Sequence, residues 1–384
     1  MIYIIFFSIS IIFVYWAQKS RNAITTFLTS VVAIMIPAFL AGVRDLGIGT
    51  DTWTYVNYVY SDVLHMKSFS ELIENQLAGN FGEIEMGYVL LNYFTTIFGT
   101  DFHWIYFTTN VVFLSVCYWC IFRRRKTLSV SFAWIILLFF YYNLCLNMVR
   151  QSIAISLCLA AQCMFEEKKY KMMLLFAVLA LISHGTGAMV FVSVAILWIL
   201  PYIIDKLGTR KVLFLTFCIS VLFVLGSQFF ISYLLNIGIF NDRYANYLIL
   251  AQQQGEGAFQ TTYVLCYLLF LYTFYYAYRH VKNNTNKRKI LAKGLFFYLA
   301  IVLFCCSAIT YHAFRMSLYF MMLSSLIYYP ELIKLISLYK HNVSMILSYT
   351  TIVLSVVVWW YNIIYKGIHE TSPYSSEILN SILF

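Results

Sequence analysis

Charge is what this 384-residue chain has least of. Only 11% of its residues are Asp, Glu, Lys or Arg, and 62% are apolar. A soluble domain carries about 25% charged residues, and the mean hydropathy here is +0.77. A water-soluble globular fold is excluded. Short segments of alternating hydrophobicity are also missing, which excludes a transmembrane β-barrel. The nine cysteines form no CxxC and no Cys/His ligand spacing. They sit mostly inside apolar runs and read as small buried hydrophobes. No D-x-D motif occurs, and the nearest paired carboxylates are Glu83-x-Glu85. A lone pair at that spacing is weak, so neither a metal nor a cofactor is expected. The first apolar run, Ile2 to Trp16, lacks a basic n-region and a small-residue cleavage site. It reads as a retained helix, not a signal peptide.

What the chain does have is apolar runs near twenty residues, repeated along its length. Each is long enough to cross a bilayer as a helix. The expected fold is an all-α polytopic integral membrane protein, a single membrane-embedded domain over 1–384. About twelve spans are read, at roughly 1–17, 23–43, 103–122, 129–145, 147–165, 172–183, 186–204, 212–236, 262–278, 290–310, 313–330 and 345–365.

The net charge of +10 reflects orientation rather than nucleic-acid binding, because Lys and Arg accumulate in cytoplasmic loops. Clusters at Lys19/Arg21, Arg123–Lys126, Lys168–Lys171, Lys206–Lys211, Arg279–Lys293 and Lys334/Lys340 hold 20 of the 26 basic residues. Placing them inside puts both termini outside. It also puts 12 of the 16 acids outside. The longest outer segments are 44–102 and 237–261. Parity then makes the stretch from Glu85 to Phe98 a re-entrant or interfacial helix, tolerated where protein buries it. If it spans instead, the count becomes thirteen.

The remaining charges mark the outer face. "NLCLNMVRQSIAISLCLAA" places Arg150 early in an apolar helix, and "SAITYHAFRMSLYFMML" places Arg315 likewise. The two share Asn147-x-x-Arg150-x-Ser152 and His312-x-x-Arg315-x-Ser317. At an outward helix N-terminus, free N–H groups and a guanidinium suit phosphate. Snorkelling explains either Arg taken alone. Two of one design, on the same face as Arg44 and Arg243, favour function, since charge within spans is costly. His312 lies three residues from Arg315 and shares its helix face. His184, in "LALISHGTGAMVF", is either a surface residue of a tight turn or a base near a phosphate. In "AGVRDLGIGTDTWTYVNY", Gly47 and Gly49 let Arg44 and Asp51 fold back over the bundle mouth. Trp53, Tyr55 and Tyr58 follow, either as an interfacial aromatic belt or as faces for sugar rings.

At these residues the chain resembles the EpsG-like branch of the Wzy-type polysaccharide polymerases. The carrying stretches are "VRDLGIGTDTWTYVNY", "FGEIEMGYVLLNYFTTIFG", "NMVRQSIAISLCLAAQCMFEEKKYK" with "ALISHGTGAMV", and "YHAFRMSLYF". Arg44, Gly49, Asp51, Tyr55, Tyr58, Glu85, Gly87, Arg150, Gln151 and His184 match the family pattern residue by residue. The match is good over about residues 35–200. Beyond that it rests on helix pattern and Arg315. The Gly-Thr-Gly after the His departs from the less polar residue common in the family.

The resemblance implies a GT-C-like glycosyltransferase at the outer face of the inner membrane. Its donor and acceptor would be oligosaccharide repeat units on undecaprenyl diphosphate, joined into O-antigen, capsule or exopolysaccharide. Membrane lipid, a chain-length regulator and a flippase would be partners. Arg150 and Arg315, with Arg44, Arg243 or His312 near, would hold the diphosphate. His184, Asp51 or Glu85 would deprotonate the acceptor hydroxyl, with His184 preferred because its ordinary pKa is near neutral. Trp53, Tyr55, Tyr58 and Gln151 would contact sugar. The rivals are an O-antigen ligase, which shares the chemistry, a lipid-linked oligosaccharide flippase, which would carry midplane charges and broken helices, and a non-catalytic scaffold.

Overall fold

The computed structural model describes residues 2–49, 52, 55–236, 261–308 and 311–383. The described residues are helical, with no β-strand among them. Among the described residues, six helices are long and apolar enough to cross a membrane: Ile2–Lys19, Ala23–Gly42, His103–Arg123, Val130–Asn147, Gly185–Leu207 and His341–Tyr365. Met86–Phe98 and Tyr170–Ser183 are apolar but shorter. At about 1.5 Å per residue, Met86–Phe98 reaches roughly 20 Å, short of the ~30 Å hydrocarbon core. The chain falls into two compact units, one of residues 1–190 with 337–384 and one of residues 191–336.

The first unit has a dry centre and a greasy rim. The Val130–Asn147 helix is 89% buried, whereas Ile2–Lys19 and Ala23–Gly42 are 28% and 22% buried. The rim helices turn Ile5, Ile12, Ile24, Phe27 and Leu28 outward. In water each such side chain would forgo about 1.5–3 kcal/mol of burial. Lipid removes that penalty, which is why the rim can be apolar on both faces.

Polar groups inside the unit are spent on backbone that proline leaves open. Pro37 lies within the Ala23–Gly42 helix, so the carbonyl four residues earlier, at Ala33, has no helical N–H. The Ser10 hydroxyl donates to that carbonyl at 2.6 Å. The Trp134 indole N–H then donates to Ser10 Oγ at 2.9 Å. This relay binds three helices and supplies the partner a kinked membrane helix needs.

The Val130–Asn147 helix widens into a π-turn over Leu137–Tyr142 and ends at Met148, whose φ/ψ of −88/61 is not helical. The chain restarts at once as Val149–Glu166. That break puts Arg150 in a first turn. At the opposite end, Arg123 pairs with Glu167 and Arg124 with Glu166. The hydrogen bond from Arg123 holds the Glu167 carboxyl down at about 2.

The C-terminal residues fold back onto the first two helices of the unit. Tyr3 donates to the Thr371 carbonyl at 2.7 Å and Tyr374 to the Leu40 carbonyl at 2.6 Å. Asn143 Nδ2 donates to Thr371 Oγ1 at 3.0 Å, and the Glu377 N–H to Asp45 Oδ1 at 2.8 Å.

The second unit holds Thr209–Asn236, Thr261–His280, Asn284–Cys305 and Tyr311–Leu323, with most of Met189–Leu207. Phe270 stacks on Tyr329 at 3.9 Å, and Lys293 pairs with Glu331 at 2.7 Å.

Candidate active site

Three segments far apart in sequence meet in the first unit. Glu85 caps the Met86–Thr95 helix by position, with φ/ψ of −71/142, but makes no side-chain cap bond. Its carboxylate reaches across instead. Oε2 accepts from Arg150 Nη1, and Oε1 accepts from the Gly185 N–H at 2.8 Å. His184 follows the last turn of Tyr170–Ser183 in extended backbone, φ/ψ −163/137. Its Nδ1 lies 4.0 Å from Glu85 Oε1. That same nitrogen accepts from the Thr186 N–H at 3.1 Å and lies 2.8 Å from the Thr186 hydroxyl. Gln151 Nε2 donates to Thr186 Oγ1 at 3.3 Å. Arg150, Gln151, Glu85, His184, Gly185 and Thr186 thus form one hydrogen-bonded cluster.

Two glycines make the meeting sterically feasible. A Cβ on Gly87 would sit 2.7 Å from the Ile182 carbonyl oxygen, and one on Gly187 would sit 2.3 Å from that of Ala180. The Met86–Thr95 helix therefore rests its first turn directly on the backbone that ends Tyr170–Ser183. That close approach is what brings Glu85 to Gly185.

The cluster keeps solvent access. The side chains of Arg150, His184 and Glu85 are 12%, 16% and 21% exposed. Its chemistry follows from the bonding. A carboxylate held between a guanidinium and a backbone N–H can accept a proton or orient hydroxyls. A guanidinium in a first helical turn adds to the positive end of the helix. A histidine whose Nδ1 receives a backbone N–H carries its ring proton on Nε2, and so presents a donor. Among the described residues, no three His, Cys, Asp or Glu side chains converge as metal ligands do.

Arg44, read from the sequence as folding back over the bundle mouth, is enclosed by protein. It follows the end of Ala23–Gly42 and is fully buried. Its guanidinium lies 4.1 Å over the Tyr106 ring, a cation–π contact. Among the described residues its three nitrogens have no hydrogen-bond partner. Burial pushes the Tyr374 hydroxyl up, and the Arg44 charge opposes that. The C-terminal segment is therefore part of the Arg44 surroundings.

Of the other expected site residues, Asp51, Trp53 and Arg243 lie outside the described residues. So do the side chains of Tyr55 and His312. Tyr58 is 69% exposed. Arg315 belongs to the second unit. Its local design repeats that of Arg150: Ser317 Oγ donates to the Phe314 carbonyl at 2.7 Å, and Ser152 Oγ to the Val149 carbonyl at 2.8 Å. Gly185 and Thr186 are the participants that sequence reasoning passes over. Their signal was a hydroxyl and small residues directly after a histidine at a helix end.

The apolar bundle and its Glu–Arg–His cluster define a helical membrane protein with a polar site set at helix ends. The chain belongs to the EpsG family, whose family model matches residues 27–376. Membership gives it a polymerase-type role in polysaccharide biosynthesis, glycosyltransferase-like in general terms. No curated protein and no solved structure matches it.

Proposed function

We propose that this protein joins oligosaccharide repeat units carried on undecaprenyl diphosphate into a long polysaccharide. On this reading it crosses the inner membrane about twelve times in a GT-C-like arrangement, with the site facing outward. The product is an O-antigen, capsular or exopolysaccharide chain. The observation that carries the reading is the Glu85–Arg150–His184 cluster, which pairs a carboxylate with a cation at a helix start.

An acceptor sugar hydroxyl attacks the anomeric carbon of the donor glycan. The new glycosidic C–O bond forms as the anomeric C–O bond to diphosphate breaks. Undecaprenyl diphosphate leaves with the electron pair. Such a leaving group is a weak base, so it needs charge stabilisation more than a strong acid. Arg150 and the first-turn N–H groups of its helix supply that stabilisation, worth about 10²–10³ in rate for a single donor.

Glu85 takes the hydroxyl proton. Its carboxylate stays within reach of His184, whose Nδ1 lone pair is engaged by the Thr186 N–H. We therefore assign His184 the role of a donor through Nε2–H, orienting a sugar or phosphate oxygen, and Glu85 the role of base. A positioned base contributes about 10²–10⁴.

The test is reconstitution. Purified protein in liposomes with a lipid-diphosphate-linked repeat unit should yield polymer and release one undecaprenyl diphosphate per linkage formed. Transfer only to a lipid A core acceptor would indicate a ligase. Movement of the unit across the bilayer without new linkages would indicate a flippase.

A further inference from the structure

The second unit carries a groove of about 370 Å³ at one end of three helices. Its walls are Leu213 and Phe217 of Thr209–Asn236, Phe274 and Tyr278 of Thr261–His280, and Ile290 and Leu295 of Asn284–Cys305. The volume falls in the range of small-molecule sites, about 300–1,000 Å³. Gly294 lines it, and a Cβ there would rest in ordinary contact with the Phe274 ring at 3.4 Å, so only a larger side chain would fill the groove.

The helix bounds fix which end this is. The walls are the second and third turns of Thr209–Asn236, the second to fourth turns of Asn284–Cys305 and the last three turns of Thr261–His280. The groove therefore lies beside the loops around 206–211 and 279–289. Both loops are basic, and an Arg288–Asp205 ion pair of 2.7 Å ties the second to the end of the helix that precedes the first. Arg210, Lys211, Arg279, Lys282 and Lys289 are exposed there. No Asp or Glu occurs in 206–222 or 262–298. Lys287 Nζ lies 5.9 Å from the centre of the Tyr278 ring, which sets a cation at the groove's lip.

An apolar slot at the membrane edge under a crowd of unbalanced cations needs an occupant that is greasy at one end and anionic at the other. We propose that this groove binds an anionic phospholipid. One acyl chain lies against Phe217, Phe274 and Leu295. The phosphate sits beside Lys287 at the groove's lip, in the field of the exposed Arg279 and Lys289 of the same loop. Basic pockets between membrane helices on the cytoplasmic side recognise phospholipid headgroups in this way, and tyrosines belong at that depth. A phospholipid fits better than a polyprenyl carrier, because the groove is short and the basic loops are the ones read as cytoplasmic. The proposal does not depend on the reaction assigned to the first unit.

Native mass spectrometry of the full-length protein in detergent tests it, with titration by phosphatidylglycerol and by phosphatidylcholine. Wild type should retain one phosphatidylglycerol in preference to phosphatidylcholine. The triple variant Arg279→Gln/Lys287→Gln/Lys289→Gln should lose at least about tenfold in phosphatidylglycerol affinity and leave phosphatidylcholine unchanged. Gly294→Leu should weaken both. The control Lys168→Gln/Lys169→Gln/Lys171→Gln, which removes as many inner charges elsewhere, should behave as wild type. Should Gly294→Leu not fold, the two charge variants still decide. No preference for phosphatidylglycerol, or equal loss in the control, would overturn the site. Displacement of phosphatidylglycerol by undecaprenyl phosphate would overturn the phospholipid assignment.

Discussion

At the residue scale, the account turns on Glu85 and Arg150 working as a pair. Removing one partner of a shielded pair leaves the other charge uncompensated, which costs more than the pair contributes. Groups that act as a unit are also non-additive in their effects. We expect Glu85→Gln and Arg150→Ala each to lower polymerisation at least ~10²-fold. The double variant should fall little further. A double variant at the product of the two single effects would show that the residues act independently. Arg150→Lys should fail to restore full polymer length, because an ammonium cannot reproduce the planar two-point contact of a guanidinium. The residues themselves were legible in the sequence. Arg150 stands out as a charge in an apolar run, and His184 as a polar break at a helix end. Their bonding was not legible. The sequence offers His184 as a base or a surface residue of a tight turn, and does not announce the Thr186 N–H that donates to its Nδ1. That engagement depends on the turn conformation, which the residue types do not specify.

At the element scale, the decisive feature is how closely two short helices approach. The expected positions of Met86–Thr95 and Tyr170–Ser183 follow from apolar runs. Their contact depends on Gly87, whose place against Ile182 joins residues about a hundred positions apart in sequence. Gly87→Ala should keep the protein in the membrane while moving Glu85 off the Gly185 N–H, because its Cβ would sit 2.7 Å from the Ile182 carbonyl oxygen and that backbone cannot shift away cheaply. Polymer should be lost with expression retained, read by immunoblot beside a glycan gel. Wild-type polymer length in that variant would show that the close approach is not needed. The burial of Arg44 was equally hidden. It looks like a loop residue after a helix, but segments far away in the chain enclose it. Tyr106 lies under it, and Tyr374 is near enough for its charge to matter.

At the scale of the whole molecule, composition alone carried the class. Low charge and long apolar runs require a lipid-facing helical protein, and the outward Ile24, Phe27 and Leu28 agree. The number of crossings was less legible. Helices such as Val149–Glu166 carry charge at their ends and are enclosed by protein, so they lack the apolar signature of a lipid-facing span. Orientation rests on where the cations lie, and it can be read directly. Tyr58→Cys lies on the segment read as outer, at a 69% exposed position. It should react with a membrane-impermeant maleimide in intact spheroplasts. Lys126→Cys, in a basic inner cluster, should react only after permeabilisation. The reverse pattern would invert the proposed topology and put the Glu85–Arg150 cluster on the wrong side for an outward-facing polymerase.

The central claim is that this chain builds polymer and that the Arg150 cluster does the work. The glycan ladder of cells deleted for the gene tests it most directly, after complementation with wild type, Arg150→Ala or His184→Ala at matched expression. The account predicts single repeat units in the deletion strain, a full ladder with wild type, and single units again with Arg150→Ala. Full-length polymer accumulating on the lipid carrier in the deletion strain, or repeat units held on the cytoplasmic side, would contradict it.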